Sequence, residues 1–222
     1  DLETIVNTFV STQGAPVHVA CFGVAGPVRQ GRTQTTNLPW TVDAQALARA
    51  LRAETVLLLN DLEAYAYGIP ALSPEDFVVL NPGAADASGN AAVIAAGTGL
   101  GEAGLYWDGR RHHPFACEGG HASFAPVDPL QMELLAHLMR EFSHASWERV
   151  VSGPGLLSIY EFLRDTGRGE EPAWLAKDMQ RQDPSAVISQ AALAGTSALC
   201  EQALNLFVSL YGAEAGNMAL KV

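Results

Sequence analysis

Thr55-Val56-Leu57-Leu58-Leu59-Asn60-Asp61 is the stretch on which the fold turns. An unbroken apolar run of this length suits a strand buried on both faces, as in parallel sheets covered by helices. It closes on an amide and a carboxylate. In open α/β sheets, ligands bind outside the carboxyl ends of the strands, so Asn60 and Asp61 stand where chemistry is done. A carboxylate there can accept a proton from an attacking hydroxyl, and the neighbouring amide can hold another hydroxyl. The same two residues are also favoured helix caps, and a helical pattern follows at once from Leu62 to Leu72, with Pro70 near its end. Spacing alone leaves both readings open.

Upstream, Leu2, Ile5, Val6, Phe9 and Val10 recur at helical spacing. Val17 to Val24 reads as a strand running into the turn Ala25-Gly26-Pro27, and Asp43 caps a helix over 44–52. Downstream, residues 73–90 are rich in Ser, Pro, Gly, Asn and Asp around a short strand-like piece, Phe77 to Leu80. The domain boundary is expected near the start of this linker. That gives a small, incomplete α/β domain over 1–72 and a larger α/β domain over 73–222 with a helical C-terminal part. Ala91 to Ala96 is a second buried strand. Residues 102–107 and 110–115 form a hairpin around Asp108-Gly109. After Pro129 the pattern is helical, over roughly 129–142, 154–165, 185–194 and 196–215. No internal repeat of solenoid type is present.

The composition is that of a globular protein with a sizeable core: 48% of the residues are hydrophobic and 17% charged. The net charge of −11 disfavours nucleic acid and anionic membranes as partners. It leaves room for a phosphorylated substrate, because backbone amides and magnesium hold phosphates locally. Cys21, Cys117 and Cys200 are odd in number, far apart and without a CxxC pair, so neither a zinc framework nor a disulfide scaffold is expected. Each reads as a small buried or half-buried apolar residue in a cytoplasmic protein. No apolar run approaches a membrane span and no signal peptide is visible. The opening Asp1-Leu2-Glu3 lies inside a helical pattern, which points to a longer parent protein.

Three further constellations can carry chemistry. Gly97-Thr98-Gly99-Leu100-Gly101 follows a buried strand directly. Its glycines allow close backbone approach to a phosphate, and its amides and threonine hydroxyl can donate to one. It lacks the Walker spacing and lysine, and a strand rather than a helix follows, so neither a P-loop nor a dinucleotide-binding turn fits. A tight glycine turn is the structural alternative. Glu118-Gly119-Gly120-His121 brackets two glycines with a carboxylate and an imidazole, which a sharp turn can aim into one cleft to meet adjacent sugar hydroxyls. The alternative is a turn with a local ion pair. No further ligands at metal spacing accompany it, so no metal site is expected, and His112 and His113 read as exposed hairpin residues. Glu148 precedes Ser152-Gly153-Pro154, a helix-start signal, and alone reads as a solvated carboxylate.

Taken in order, these segments resemble the bacterial glucokinase family of the hexokinase and actin-like ATPase superfamily. The resemblance is carried by Leu59-Asn60-Asp61-Leu62-Glu63-Ala64, Ala96 to Gly101, Glu118 to Pro126, Glu148 to Leu156 and Gly216-Asn217-Met218-Ala219-Leu220. It spans nearly the whole chain. It implies an actin-like, ribonuclease H-like α/β fold of two domains with a cleft between them. It also implies transfer of the γ-phosphoryl group of ATP to the 6-hydroxyl of glucose in glycolysis, with Mg2+. By the same resemblance Asp61 is the catalytic base. Asn60, Glu118, His121 and Glu148 hold the other sugar hydroxyls, so these charged groups are expected to be buried around one sugar. Gly97, Thr98, Gly99 and Gly101 belong to a phosphate-binding loop. A homodimer is expected.

Two features of the family are not found in this sequence: the Asp-x-Gly-Gly-Thr turn of a first phosphate loop, and a Gly-Gly segment that helps hold adenosine, before which the chain stops at Val222. The expectation is therefore a chain truncated at both ends and inactive alone. No cysteine-rich zinc motif follows Glu118-Gly119-Gly120-His121, which sets the chain apart from zinc-containing sugar kinases and repressors. Two alternatives stay open. One is a kinase for fructose, mannose or an acetylated amino sugar. The other is a non-catalytic sugar sensor, which would need a basic DNA-binding segment.

Overall fold

The structure is a computed structural model that describes residues 1–14, 16–35, 38–84 and 86–222. Two apolar clusters organise it. One gathers Val24, Val42, Leu47, Leu51, Val56 and Leu58. The other, larger cluster is drawn mainly from the helices of the C-terminal half, with Leu100 and Phe124 from before them. The chain correspondingly divides into two compact units, one of Asp1–Val93 with Ala103–Cys117 and one of Ile94–Glu102 with Glu118–Val222. The boundary expected near residue 73 falls inside the first unit.

In the first unit, α1 (Leu2–Gln13) starts where the Asp1 carboxylate accepts the Thr4 N–H. Its residues Leu2, Val6 and Val10 pack on the smaller cluster. Strand β1 (Val19–Val24) is followed by an antiparallel pair, β2 (Arg32–Gln34) and β3 (Thr41–Asp43). Asp43 then caps α2 (Ala44–Leu51) by accepting the N–H groups of Gln45 and Ala46. Strand β4 (Thr55–Asn60) runs parallel to β1, in register from Val19 against Thr55 to Val24 against Asn60. It leads without a linker into α3 (Asp61–Gly68) and a 3-10 turn, Ile69–Ala71, that includes Pro70.

Strand β4 is not buried on both faces. Val56, Leu58 and Asn60 are buried, while Thr55 and Leu57 are exposed. The α1 and α2 helices close over the Val56 and Leu58 side, and the Leu57 side is only partly covered. Cys21 on β1 is likewise exposed, contrary to its expected burial, whereas Cys117 is half-buried and Cys200 buried.

Phe77 to Leu80 forms no strand, and all four side chains are exposed. Strand propensity reflects packing on a pleated surface, and among the described residues no neighbour pairs with this run. Ala85, within the expected linker, lies outside the described residues.

A three-stranded sheet follows in the order β5 (Ala91–Ala96), β6 (Leu100–Trp107), β7 (His112–Cys117). At the β6–β7 turn, the Asp108 carboxylate accepts the N–H groups of Arg110 and Arg111 at 2.8 and 2.9 Å. His113 Nε2 lies 2.6 Å from the same carboxylate. These contacts, led by His113, hold Asp108 far below the usual carboxylate range. His112 and His113 are half-buried rather than fully exposed.

The second unit is mainly helical: α4 (Pro129–Leu138), α5 (Gly153–Asp165), α6 (Ala173–Met179), α7 (Pro184–Leu193) and α8 (Ala198–Lys221). Ile159, Tyr160, Ile188, Leu199 and Leu210 are buried where α5, α7 and α8 pack together. Helix α4 ends four residues earlier than its periodicity suggests, and α6 was not legible at all. It has seven residues and no side-chain cap, so neither length nor a start signal marks it. Among the described residues, no helix is long and apolar enough to cross a membrane.

Candidate active site

The parallel β1–β4 pair brings Asn60 and Asp61 to its carboxyl edge. Asn60 is buried and caps α3, its Oδ1 accepting the N–H groups of Leu62 and Glu63 at 3.0 and 3.3 Å. Its Nδ2 donates to the Gly26 carbonyl at 3.3 Å. The capping reading thus holds for Asn60, which among the described residues retains one amide hydrogen for a ligand. Asp61 is half-buried; its Oδ1 accepts the Leu62 N–H at 2.9 Å. Its Oδ2 accepts nothing among the described residues and is available as a base.

In the second unit, the Gly97 N–H donates to the Gly99 carbonyl at 2.8 Å and the Gly97 carbonyl accepts the Gly153 N–H at 2.8 Å. The glycine loop is thereby tied to the first residue of α5. Thr98 lines a small cavity of about 60 Å³ with Ser152, Gly155 and Ser158 at that helix start. The Leu100 N–H donates to Glu148 Oε2 at 3.0 Å, so one loop amide is already engaged by a carboxylate.

The two glycines at 119 and 120 are required by close approach. A Cβ on Gly119 would run into the Glu102 carboxyl, and one on Gly120 into the Leu100 carbonyl. The resulting 3-10 turn, Gly119–His121, presents Glu118 and His121 together. Backbone bonds from Phe124 to Ala145 (3.0 Å) and from Trp147 to Ala122 (3.0 Å) bind the segment after the turn to the one before Glu148. Buried Trp147 meets Phe124 edge-on at 5.2 Å. Consequently His121 Nε2 lies 3.9 Å from Glu118 Oε2, and His121 Nδ1 lies 3.9 Å from Glu148 Oε1.

The structure therefore assembles Glu118, His121 and Glu148 within the second unit. It does not bury them: their side chains are 50%, 62% and 28% exposed. They are held from behind by backbone bonds and open in front. A cavity of about 320 Å³ is lined by His121 and Glu148 together with Glu141, His144, Ser146 and Arg149. The Arg149 guanidinium stacks 4.1 Å from the Phe142 ring centre, which steadies one wall. Two carboxylates, Glu141 and Glu148, and two imidazoles, His121 and His144, on an open polar cavity suit a polyhydroxylated ligand. Among the described residues, no group of three or more His, Cys, Asp or Glu could hold a metal ion.

The glucokinase family model matches residues 1–222. The chain belongs to the glucokinase family. It is 40% identical over 237 residues to a glucokinase of Nostoc sp., covering all of this chain and 69% of that protein. It is 43% identical over 225 residues to a glucokinase of Synechocystis sp., covering 94% of this chain and 63% of that protein. The chain thus spans about two thirds of the length of these curated relatives. Among solved structures, it is similar to a glucokinase from an Antarctic psychrotroph, with a TM-score of 0.79 and 32% identity, covering 99% of this chain and 66% of that one. A glucokinase from Balamuthia mandrillaris, solved in complex with glucose, shares the fold at a TM-score of 0.77 and 19% identity, covering 99% and 65%. As a member of this family the chain is an ATP-dependent hexose kinase.

One polar group of this glucokinase-family chain was not legible beforehand. Glu102 on β6 is 3% exposed, and its Oε1 has no hydrogen-bond partner among the described residues. Burial first, and the nearby Glu214 second, push its carboxyl up to about 7. A single glutamate following a glycine-rich turn carries no sequence signal of burial.

Proposed function

We propose that the chain carries the sugar-binding and base residues of a glucokinase that transfers the γ-phosphoryl group of ATP to the 6-hydroxyl of glucose. The observation that supports this most is the grouping of Glu118, His121 and Glu148, up to thirty positions apart, with His121 and Glu148 lining one open cavity and Glu118 beside His121. Glu118 and Glu148 accept from sugar hydroxyls, and His121 bridges them as donor or acceptor. Asn60 adds its remaining amide hydrogen. Asp61 Oδ2 accepts the proton of the 6-hydroxyl as that oxygen attacks the γ-phosphorus. The new O–P bond forms while the bond to the β-phosphate oxygen breaks, and ADP leaves with the electron pair. Little else is asked of the protein, since phosphoryl transfer is catalysed chiefly by positioning and charge stabilisation.

The Gly97–Gly101 loop would receive the phosphates through Thr98, which faces a cavity at the start of α5. A Cβ on Gly99 would run into the Glu148 carboxyl, so that glycine makes room for the carboxylate bonded to the loop. Mg2+ would arrive on the nucleotide phosphates and neutralise their charge. The actin-like fold with a cleft between two domains, the cytoplasmic location and the homodimer belong to the same reading.

The test is Asp61→Asn in the full-length protein, with turnover and glucose affinity measured separately. Loss of the proton acceptor should lower turnover by about 10²–10⁴. Affinity should stay within about twofold, because the other hydroxyl contacts remain. Near-normal turnover would leave Asp61 as a residue of the first turn of α3 and nothing more.

A further inference from the structure

Glu102 and Glu214 form a buried carboxyl pair that the phosphoryl-transfer reading does not use. Glu102 is the third residue of β6, directly after the glycine loop. Glu214 on α8 is fully buried and near enough for its charge to act on Glu102. Two ionised carboxylates at that distance in the interior would repel and stay poorly solvated. A single proton between them turns two acceptors into a donor and an acceptor. The surroundings decide which residue keeps it. Glu214 Oε2 accepts the Asn217 Nδ2–H at 2.8 Å, and its Oε1 lies 3.5 Å from Lys221 Nζ. Both of these partners are donors to Glu214. Glu102 has no such partner, and its Oε1 is orphaned. Glu102 is therefore the neutral member.

The other side of the Glu102 carboxyl lies against Gly119, where no Cβ could fit. The carboxyl thus forms the floor of the turn that presents Glu118 and His121. We propose that Glu102 is a positioning residue for the sugar subsite: its buried carboxyl braces the Gly119-Gly120 turn from beneath. This rests on the reading that Glu118 and His121 hold sugar hydroxyls. When the proton is lost, Glu102 and Glu214 repel and the brace under the turn shifts. The charged group facing the pair is Lys221 from α8. Lys221 offsets one negative charge, not two. Sugar affinity should therefore fall as the solution becomes alkaline.

Glucose affinity is measured by calorimetry on the full-length protein at about pH 6 and about pH 8.5. The wild type should weaken by about threefold or more across that range. Glu102→Gln keeps a donor and an acceptor without a titratable proton. It should bind glucose within about twofold of the wild type at the lower pH and lose the Glu102-dependent alkaline weakening. Glu102→Leu, which fills the space without donating, should bind about tenfold more weakly at both. The proposal is overturned if Glu102→Gln follows the wild-type pH profile, or if a folded Glu102→Leu binds as tightly as the wild type. If Glu102→Leu does not fold, the Gln profile decides alone. Glu118→Gln separates the two levels. Unchanged affinity in that variant sinks the sugar reading and the brace with it, whereas weakened affinity beside an indifferent Glu102→Leu sinks only the brace.

Discussion

Glu102 couples folding to pH with a sign opposite to that of most carboxylates. Its carboxyl is raised from 4.5 to about 7, by burial first and by Glu214 second. Between those values the unfolded chain releases a proton that the folded chain keeps. Stability from this group is therefore fully present below pH 4.5 and declines until the pH passes about 7. At about 1.4 kcal/mol per pH unit, the loss is about 3 kcal/mol. Urea unfolding at about pH 5 and pH 7.5 should show most of this decline in the wild type, with a pH dependence smaller by about 2 kcal/mol in Glu102→Gln. Parallel slopes would mean that Glu102 is ionised in the folded state. The sequence made Glu118 and His121 visible because two glycines between charged residues are rare outside a sharp turn. Glu148 became visible only through its place in an ordered set of motifs. Glu102 stayed hidden because burial of a lone glutamate depends on α8, more than a hundred residues away.

Ser152 shows how one helix start positions a functional side chain. Its hydroxyl accepts the Gly155 N–H at 3.0 Å, capping α5, and donates to the Glu148 carbonyl at 2.7 Å. The cap therefore also holds the segment that carries a proposed sugar ligand. Ser152→Ala removes both bonds from a site that is 1% exposed. It should destabilise the protein by about 1–2 kcal/mol in denaturant unfolding and weaken glucose binding as well. Loss of stability with unaltered affinity would mean that the Glu148 segment is held independently of the cap. Caps of this kind are what the sequence discloses best: Asp43 and Ser152 each start the helix their residue type and spacing announce. Features that depend on distant neighbours were missed. Phe77 to Leu80 has the composition of a strand and no partner, and β4 has the composition of a doubly buried strand but one open side. Composition states what a segment can bury, and the rest of the fold decides how much of it is covered.

At the scale of the molecule, the two units rest on cores of very different size. Among the described residues, six buried side chains form the cluster of the first unit and twenty-two that of the second. Hydrophobic burial is the main favourable term in folding and scales with the apolar area removed from water. The first unit also leaves Ile5, Phe9, Val19 and Leu57 exposed on its helix and strands. Its opening free energy should therefore be the lower of the two, and unfolding should not be two-state. Native-state hydrogen exchange is the direct measurement. Amides of β1 and β4 should exchange through a lower-energy opening than those of α5, α7 and α8, by about 2 kcal/mol or more. Saturating glucose adds stability only to the states that bind it, so it should raise the protection of whichever unit holds the sugar ligands. A rise confined to α5 and the turn around Gly119 would restrict the sugar contacts to the second unit. A rise that also reaches the amides of β4 and Leu62 would bring Asn60 and Asp61 onto the same ligand. Equal protection in both units without sugar would show that the small core unfolds only with the large one, and that the division into units has no energetic counterpart.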